Sequence, residues 1–323
     1  MDALSDVLKS VRLEGAVYLD GEFTAPWSVV SRSGLSAVRH QLASSDHVVF
    51  FHYVAEGEVH VPGAPGERDV VARAGDLLIC PHGGGQTMAS DVRLEPVDAD
   101  ALPALSEPGS PVTRLRHGGG GAVTRVVCGY LACSRSACRP VLDGLPPVLC
   151  VSTREGLAAA LVRELMQAAV RESAEARPGA QSVLAKLSEL LFVEALRRYA
   201  DGLPAGRSGW LAGLRDPHVG RALGLLHAQP ERDWTVDDLA GKVALSRSAL
   251  AERFSQLVGE PPIQYLSRWR LALAAQELRA GAEPIARIAQ RCGYETDAAF
   301  SRAFKREFGV PPAAWRRYKI SAA

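Results

Sequence analysis

Two similar segments in the C-terminal third decide the fold: VDDLAGKVALSRSALAERF over residues 236–254 and IARIAQRCGYETDAAFSRAF over residues 285–304. The first is followed by Gly-Glu-Pro-Pro at 259–262 and the second by Gly-Val-Pro-Pro at 309–312. Apolar residues recur at matching places, first at an offset of 49 and then, after one inserted residue, at an offset of 50. Such an internal repeat indicates one supersecondary unit that occurs twice.

Each copy contains the parts of a helix-turn-helix. Ala240 and Ala289 are small enough for a second helix to cross close by, and Ser246 and Thr296 are suited to cap that helix. The outer face of the second helix is then free to enter a major groove. Its inner face is predicted to be held by one pair of large apolar residues spaced i, i+4 in each copy: Leu250 with Phe254, and Phe300 with Phe304.

Residues 263–280, rich in Leu, Ala, Gln and Arg, predict one long helix between the copies. It would span roughly 27 Å at the ordinary helical rise. With the width of the flanking units, it would set the two second helices about one DNA turn apart, roughly 34 Å. A single chain could then read two successive major-groove segments. Repeats of this kind also build helical protein-interaction modules, which is the alternative interpretation of the repeat.

Composition and charge set the wider frame. With 47% hydrophobic and 23% charged residues, the 323-residue chain is an ordinary globular protein of about two domains. Residues 1–210 carry 20 Lys and Arg against 24 Asp and Glu, whereas residues 211–323 carry 17 against 12. This asymmetry fits a phosphate-bearing partner at one end only, although many enzymes share it. We see no signal peptide and no membrane-length apolar run, so we expect a cytoplasmic protein without a membrane partner.

The predicted fold class is α+β multidomain. Short β-rich runs separated by Gly and Pro place a small β-barrel or sandwich over residues 1–150, with a long loop at 95–121. Helical periodicity predicts a helical pair over 151–201, whose apolar stripes either pack internally or serve a homodimer. A linker at 202–215 precedes a DNA-binding domain at 216–320, with its two units at about 236–258 and 285–308.

The C-terminal region resembles the DNA-binding domain of the AraC/XylS family of bacterial regulators. The resemblance rests on the second copy: Ile285-Ala-x-x-Ala, Gly293-Tyr, Phe300-Ser-Arg-x-Phe-Lys, and Gly309-Val-Pro-Pro-Ala-Ala-Trp-Arg. It implies double-stranded DNA and RNA polymerase as partners and a role in regulating transcription, either as an activator or as a repressor. It also implies base-facing positions in each copy: Arg247, Ser248, Ala251 and Glu252, then Asp297, Ala298, Ser301 and Arg302.

The chemistry of these positions is uneven. Arg302 suits guanine O6 and N7, and Glu252 suits a cytosine amino group. Four other cations are better suited to phosphates, which position the protein without specifying sequence: Arg253, Lys305, Arg306 and Arg316.

The N-terminal half resembles the cupin-type sensor domain of a branch of the same family. The resemblance rests on GDLLICPH at 75–82, CGYLAC at 128–133, Leu-Pro-Pro at 145–147 and the helix at 184–198. Such a domain holds a small ligand or a metal. However, no His-x-His pair stands near His52, and Gln86 occupies the place where a histidine would partner His82. We therefore expect no metal, no cofactor and no catalysis.

The alternatives are other classes of protein. One is a cupin-type metalloenzyme carrying a DNA-binding tail. The other is a repair protein, which the order Cys80-Pro-His disfavours because a methyl acceptor would read Pro-Cys-His.

Five of the six cysteines fall in the N-terminal half. In a reducing compartment such a group favours redox sensing or metal binding over structural disulfides. We take Cys128, Cys133 and Cys138, together with His52 and His82, as candidates for sensing an oxidant or a small-molecule effector. Nearby Arg135 and Arg139 would lower a thiol pKa if they lay close in space. The alternative is that these cysteines are small buried hydrophobes.

Overall fold

The computed structural model describes residues 3–11, 14–31, 45–64, 66–106, 112–152, 157–175, 178–204, 206–281 and 283–317. The chain divides into two compact units that do not follow its linear order. The first, here called the β unit, comprises Leu13–Cys133 and Leu145–Asp201. The second, here called the helical unit, comprises Met1–Arg12, Ser134–Gly144 and Gly202–Ala323.

The strands of the β unit form two sheets. The described strands are β1 Glu14–Thr24, β2 Ser28–Val30, β3 His47–Glu56, β4 Glu58–Val61, β5 Val70–Arg73, β6 Asp76–Cys80, β7 Thr87–Ala89, β8 Val97–Asp98, β9 Thr113–Gly118, β10 Val123–Cys133 and β11 Leu149–Ser152. The first sheet has the order β11-β6-β3-β10-β1-β9, and the second has the order β5-β4-β7-β2-β8. Pairing is antiparallel except where β9 lies beside β1 and β8 beside β2.

This arrangement confirms a sheet-rich N-terminal half, although the described strands lie in two sheets and do not close into one ring. The prediction of a loop over 95–121 is wrong in part. The segment contains β8, a 3₁₀ turn at Ala99–Ala101 and β9. Both strands pair in parallel with segments far away in sequence, and local Pro and Gly content carries no information about such pairing.

The core of the β unit lies under the central strands. Strand β3 is buried along its first eight residues because it has neighbours on both sides, β6 and β10. One core cluster is anchored by Phe23 and Trp27, whose rings stack with centroids 4.5 Å apart. Burying two large aromatic side chains contributes several kcal/mol of hydrophobic free energy, on the order of 25 cal/mol per Å².

Two helices, α1 (Ala3–Val11) and α2 (Arg135–Leu142), come earlier in the chain than the predicted helical pair. That pair consists of α3 (Leu157–Glu175) and α4 (Ala180–Gly202). Helix α4 lies directly on β1, because a Cβ placed on Gly15 would come within 2.7 Å of the Cβ of Ser188. Arg198 of α4 also donates a hydrogen bond to the carbonyl oxygen of Ser152. The opposite side of the pair leaves Leu161, Val183 and Leu190 exposed.

The helical unit joins α1 and α2 to the C-terminal helices. Helix α1 packs on α6 and α2, and helix α2 packs on α9 and α5. The remaining helices are α5 Trp210–Arg215, α6 Pro217–Ala228, α7 Val236–Lys242, α8 Arg247–Val258, α9 Pro262–Ala280, α10 Ile285–Arg291, α11 Asp297–Phe308 and α12 Pro312–Arg317. The sequence places residues 1–12 and 134–144 within the first 150 residues, so their packing on C-terminal helices is a feature that the local pattern did not predict.

Candidate functional site

The first helix-turn-helix consists of α7 and α8. Helix α7 begins with a reciprocal cap, in which Thr235 accepts from the N–H of Asp238 and the Asp238 carboxylate accepts from the N–H of Thr235. Helix α8 begins at Ser246, whose hydroxyl accepts from the N–H of Ala249, and ends at Gly259 with φ of 90°. Leu250 and Phe254 have no solvent-exposed surface. The predicted cap and inner face are confirmed.

The second helix-turn-helix repeats this construction in α10 and α11. Thr296 caps α11 by accepting from the N–H of Ala299, and Gly309 ends it with φ of 78°. Phe300 and Phe304 are fully buried, as predicted, and their core includes Cys292. The long helix predicted between the copies is α9.

The two turns share an unusual backbone conformation. Ala244 in the first turn has φ of 56° and Gly293 in the second has φ of 76°. Side chains avoid this left-handed region because the Cβ approaches the neighbouring carbonyl oxygen. The equivalent placement of Ala244 and Gly293 shows that both turns impose the same geometry, strained in the first copy and relaxed in the second.

The surfaces of α8 and α11 opposite their buried residues are open to solvent. In α8, Arg247, Ser248 and Glu252 are exposed and Ala251 is half-buried. In α11, the exposed residues are Asp297, Ala298 and Arg302, while Ser301 is half-buried. Neither set of predicted base-facing residues is buried.

The cations of the two second helices differ in their partners. In α8, Arg247 pairs with Asp237 at 3.3 Å, and Arg253 pairs with Asp216 at 2.6 Å. In α11, no ion pair joins Arg302 or Lys305 to any part of the chain that the structure describes.

Two further cations predicted for phosphates also differ. Arg306 is exposed on α11. Arg316 instead donates to the carbonyl oxygen of Glu283 and is half-buried. The assignment of Arg316 to phosphates stays a prediction, and DNA would have to compete with this hydrogen bond.

In the β unit the structure brings His52 and Cys128 together. They are paired across β3 and β10, and the Nδ1 atom of His52 lies 2.9 Å from the Sγ atom of Cys128. Burial lowers the pKa of His52 to about 4. Burial, followed by the effects of Cys80 and Asp20, raises the pKa of the Cys128 thiol. At neutral pH the pair is thus an uncharged imidazole beside a protonated thiol.

Cys80 belongs with this pair and was not among the predicted sensing residues. It lies on β6, next to β3, and burial raises its pKa to about 12. Phe50 on β3 pairs with Cys80 and is two residues from His52, so the side chains of Cys80 and His52 are on the same face of the sheet. The alternation of side chains along a strand predicts that Phe50 and His52 share one face. The sequence did not predict that β6, which carries Cys80, lies beside β3.

The other predicted sensing residues lie elsewhere. His82 is exposed, and its Nε2 atom lies 3.2 Å from the carbonyl oxygen of Leu145. Cys133 is five residues from Cys128 on the same strand and so faces the other side. Cys138 is buried in α2.

The two arginines thought to act on these thiols each pair with a carboxylate. Arg135 lies 3.3 Å from Asp143, and Arg139 lies 3.0 Å from Asp143 and 2.8 Å from Glu307. Within the described ranges, no group of three or more His, Cys, Asp or Glu side chains is arranged to hold a metal ion.

Comparison with known proteins divides the chain into two parts along its sequence. Residues 2–201 match the cupin family, and residues 239–318 match a helix-turn-helix domain family. The chain is 34% identical to an AraC-like transcription regulator of Streptomyces lividans, over 98% of this chain and 99% of that protein. It is 32% identical to an AraC-like transcription regulator of Streptomyces antibioticus, over 99% and 100%.

The chain belongs to the AraC-like transcription regulators.

Among solved structures, the DNA-binding domain of AdpA in complex with a target DNA is 28% identical, with a TM-score of 0.31. The match covers 33% of this regulator and 96% of the AdpA chain. In the regulator, the DNA-binding function resides in the tandem helix-turn-helix domain, and its N-terminal domain is of the cupin type. None of the helices among the described residues has the length and apolarity needed to cross a membrane.

Proposed function

We propose that this regulator reads two successive major-groove segments of one duplex, with α8 in one segment and α11 in the next. The observation that carries the proposal is the repeated construction of the two helices. Each has one fully buried face and one open face, and the open faces carry the residues that the family resemblance assigns to DNA. An α-helix with a free polar face fits the width of a major groove.

The contacts on α11 divide by chemistry. We assign base reading to Arg302, assisted by Asp297, Ala298 and Ser301, because a guanidinium can make two hydrogen bonds to one guanine. We assign Lys305 to the phosphate backbone, where a compact, mobile charge is sufficient.

On α8, two arginines of the proposed DNA contacts are already paired with carboxylates. Arg247, Ser248, Ala251 and Glu252 form its proposed base-reading set, and Arg253 its phosphate contact. Because Arg247 and Arg253 each hold a carboxylate in the free protein, DNA must replace an existing ion pair at both. We therefore expect α11 to supply more of the salt-dependent affinity than α8.

The test compares Arg302→Ala with Lys305→Ala on a duplex selected by the unmodified chain from a randomised library. Arg302→Ala should cost about 1–3 kcal/mol and relax discrimination at one base pair. Lys305→Ala should weaken all duplexes similarly and reduce the slope of affinity against salt by about one unit.

The matched control is Arg93→Ala, which removes an exposed arginine paired with Asp91 in the β unit. Equal weakening of every duplex by Arg302→Ala would identify a phosphate contact and overturn the assignment.

We propose further that the cupin-type domain binds a small-molecule effector near His52 and Cys128 and does no catalysis. Support comes from this hydrogen-bonded polar pair standing beside an apolar core cluster that includes Cys128 itself. A redox signal is the second candidate, but a buried thiol whose pKa is raised reacts slowly with oxidants.

The experiment replaces His52 with Phe in the full chain and measures DNA affinity and promoter output in cells. The proposal expects output that no longer responds to the inducing condition while DNA affinity in vitro is retained. A variant whose output still responds to the inducing condition like that of the unmodified chain would contradict it.

We propose a homodimer through the exposed side of the helical pair, and contact with RNA polymerase as an activator. Val183 and Leu190 are spaced i, i+7 on one side of α4 and are 45% and 40% exposed, which is unusual for large aliphatic residues. Leu190→Glu should shift the chain to a monomer in analytical ultracentrifugation, whereas Val71→Glu, at an exposed position in the β unit, should not. A monomeric unmodified chain would refute the dimer.

A further inference from the structure

Helix α2 contacts the second helix-turn-helix through a side chain near the C-terminal end of α11. Its apolar side is buried within the helical unit through Ala137, Cys138, Val141 and Leu142. From its exposed side, Arg139 donates from Nη1 to the Oε1 atom of Glu307 at 2.8 Å. Glu307 lies near the C-terminal end of α11.

The position of Glu307 on α11 decides what this contact can do. Glu307 is three and four residues from Phe304 and Ala303, which are buried, so it shares their side of the helix. The proposed DNA-facing residues Ala298, Ser301, Arg302 and Lys305 follow a separate i, i+3, i+4, i+7 line. Arg139 therefore holds α11 without covering its DNA-facing side.

Arg139 also acts on the start of α9, the helix that separates the two reading units. Glu260 precedes α9, is 7% exposed and pairs with Arg268 of that helix. Burial raises the pKa of Glu260, the charges of Arg268 and Arg139 lower it, and the charge of Glu307 raises it. The charge of Arg139 thus acts on Glu260 as well as pairing with Glu307, and α2, which carries Arg139, packs on α9.

The guanidinium is itself held in place by its own helix. Its Nε atom donates to Asp143 at 3.0 Å, one helical turn away along α2. The side chain is partly exposed, so its pairing with Glu307 is worth little to overall stability. Its effect is positional: it holds the end of α11 to α2, which itself packs on α9.

We propose that Arg139 is a positioning residue for DNA binding, which ties α11 to the start of α9 and so fixes the angle of the second reading unit relative to the first. This inference rests on the proposed reading of one duplex by both units. A residue in the N-terminal half of the sequence would then determine whether both half-sites are engaged together.

The experiment uses the full chain and three duplexes: the selected site, the site with its α8 half scrambled, and the site with its α11 half scrambled. Arg139→Ala should bind the intact site about two- to fivefold more weakly, the scale of a partly exposed ion pair. Its affinity for the duplex with the α11 half scrambled should be unchanged, since that duplex needs no alignment of the second unit.

Three further variants sharpen the result. Arg139→Lys keeps the charge and should retain most of the discrimination between intact and scrambled sites. Glu307→Gln should reproduce the selective loss, and it decides the question if Arg139→Ala does not fold. Arg93→Ala is the control for loss of an arginine and should change nothing.

Equal weakening of Arg139→Ala on intact and scrambled duplexes, or no weakening at all, would overturn the positioning role. The underlying two-unit proposal fails separately: the unmodified chain would then bind the duplex with the α11 half scrambled as tightly as the intact site.

Discussion

Acid should destabilise the helical unit through one buried histidine, His227. Its Nε2 atom lies 2.6 Å from the hydroxyl of Tyr265, which accepts a hydrogen bond from Nε1 of Trp210 at 2.7 Å. Its Nδ1 atom is buried and has no hydrogen-bond partner among the described residues. The ring also packs 4.4 Å from that of Trp269. Among the described residues, no carboxylate forms a hydrogen bond or an ion pair with this ring that would compensate a positive charge.

Burial accordingly lowers the pKa of His227 from 6.5 to about 3. The folded protein therefore binds fewer protons than the unfolded chain between these values. Above pH 6.5 both states hold a neutral ring, so stability does not depend on this group. As pH falls below 6.5 only the unfolded chain is protonated, and stability is lost until pH reaches about 3. At about pH 5 the loss should be on the order of 2 kcal/mol.

The measurement is urea unfolding of the full chain and of His227→Gln, at about pH 7 and about pH 5. Glutamine keeps an acceptor for Tyr265 but does not titrate. Tryptophan fluorescence follows the helical unit mainly, because it contains four of the five tryptophans: Trp210, Trp234, Trp269 and Trp315. His52, which titrates in the β unit, contributes equally to both proteins. The reasoning is refuted if the difference in unfolding free energy between the two proteins is the same at both pH values.

Three other outcomes can be checked directly. Gly293→Ala should lower stability by about 1–2 kcal/mol, because φ is +76° and the new Cβ would lie 2.6 Å from Nη1 of Arg270; an unchanged urea midpoint would contradict this. Thr296→Ala removes the cap of α11 and should cost about 1 kcal/mol, measured in the same way. In the folded, reduced chain Cys150 should react with a maleimide before Cys128, because Cys150 is exposed and Cys128 is buried. Labelling of Cys150 should leave DNA affinity intact. Rapid labelling of Cys128, detected by mass spectrometry, would favour the redox candidate.

The tandem helix-turn-helix could be predicted because its determinants are local and occur twice. Caps such as Ser246 and Thr296, and pairs such as Phe300 with Phe304, act within a few residues of one another. Their spacing alone therefore indicates helix ends and a buried face.

The features that escaped prediction depend on contacts between distant segments. The neighbours of Arg139 in sequence suggested an effect on thiols, but its partner Glu307 is far along the chain. Cys80 was not grouped with His52 because the order of β6, β3 and β10 is set by the whole sheet. The absence of a His-x-His pair was visible in the sequence and required no tertiary information.

The interleaved path of the chain has a consequence for how the protein is made. Helix α1 precedes the whole β unit in the chain, and one of its packing partners, α6, follows that unit roughly 200 residues later. Helix α1, which carries the buried Ala3 and Val7, cannot complete its packing until that later helix has been synthesised. Segments on both sides of the β unit belong to the helical unit, so the nascent regulator completes its helical unit only after the β unit has been synthesised.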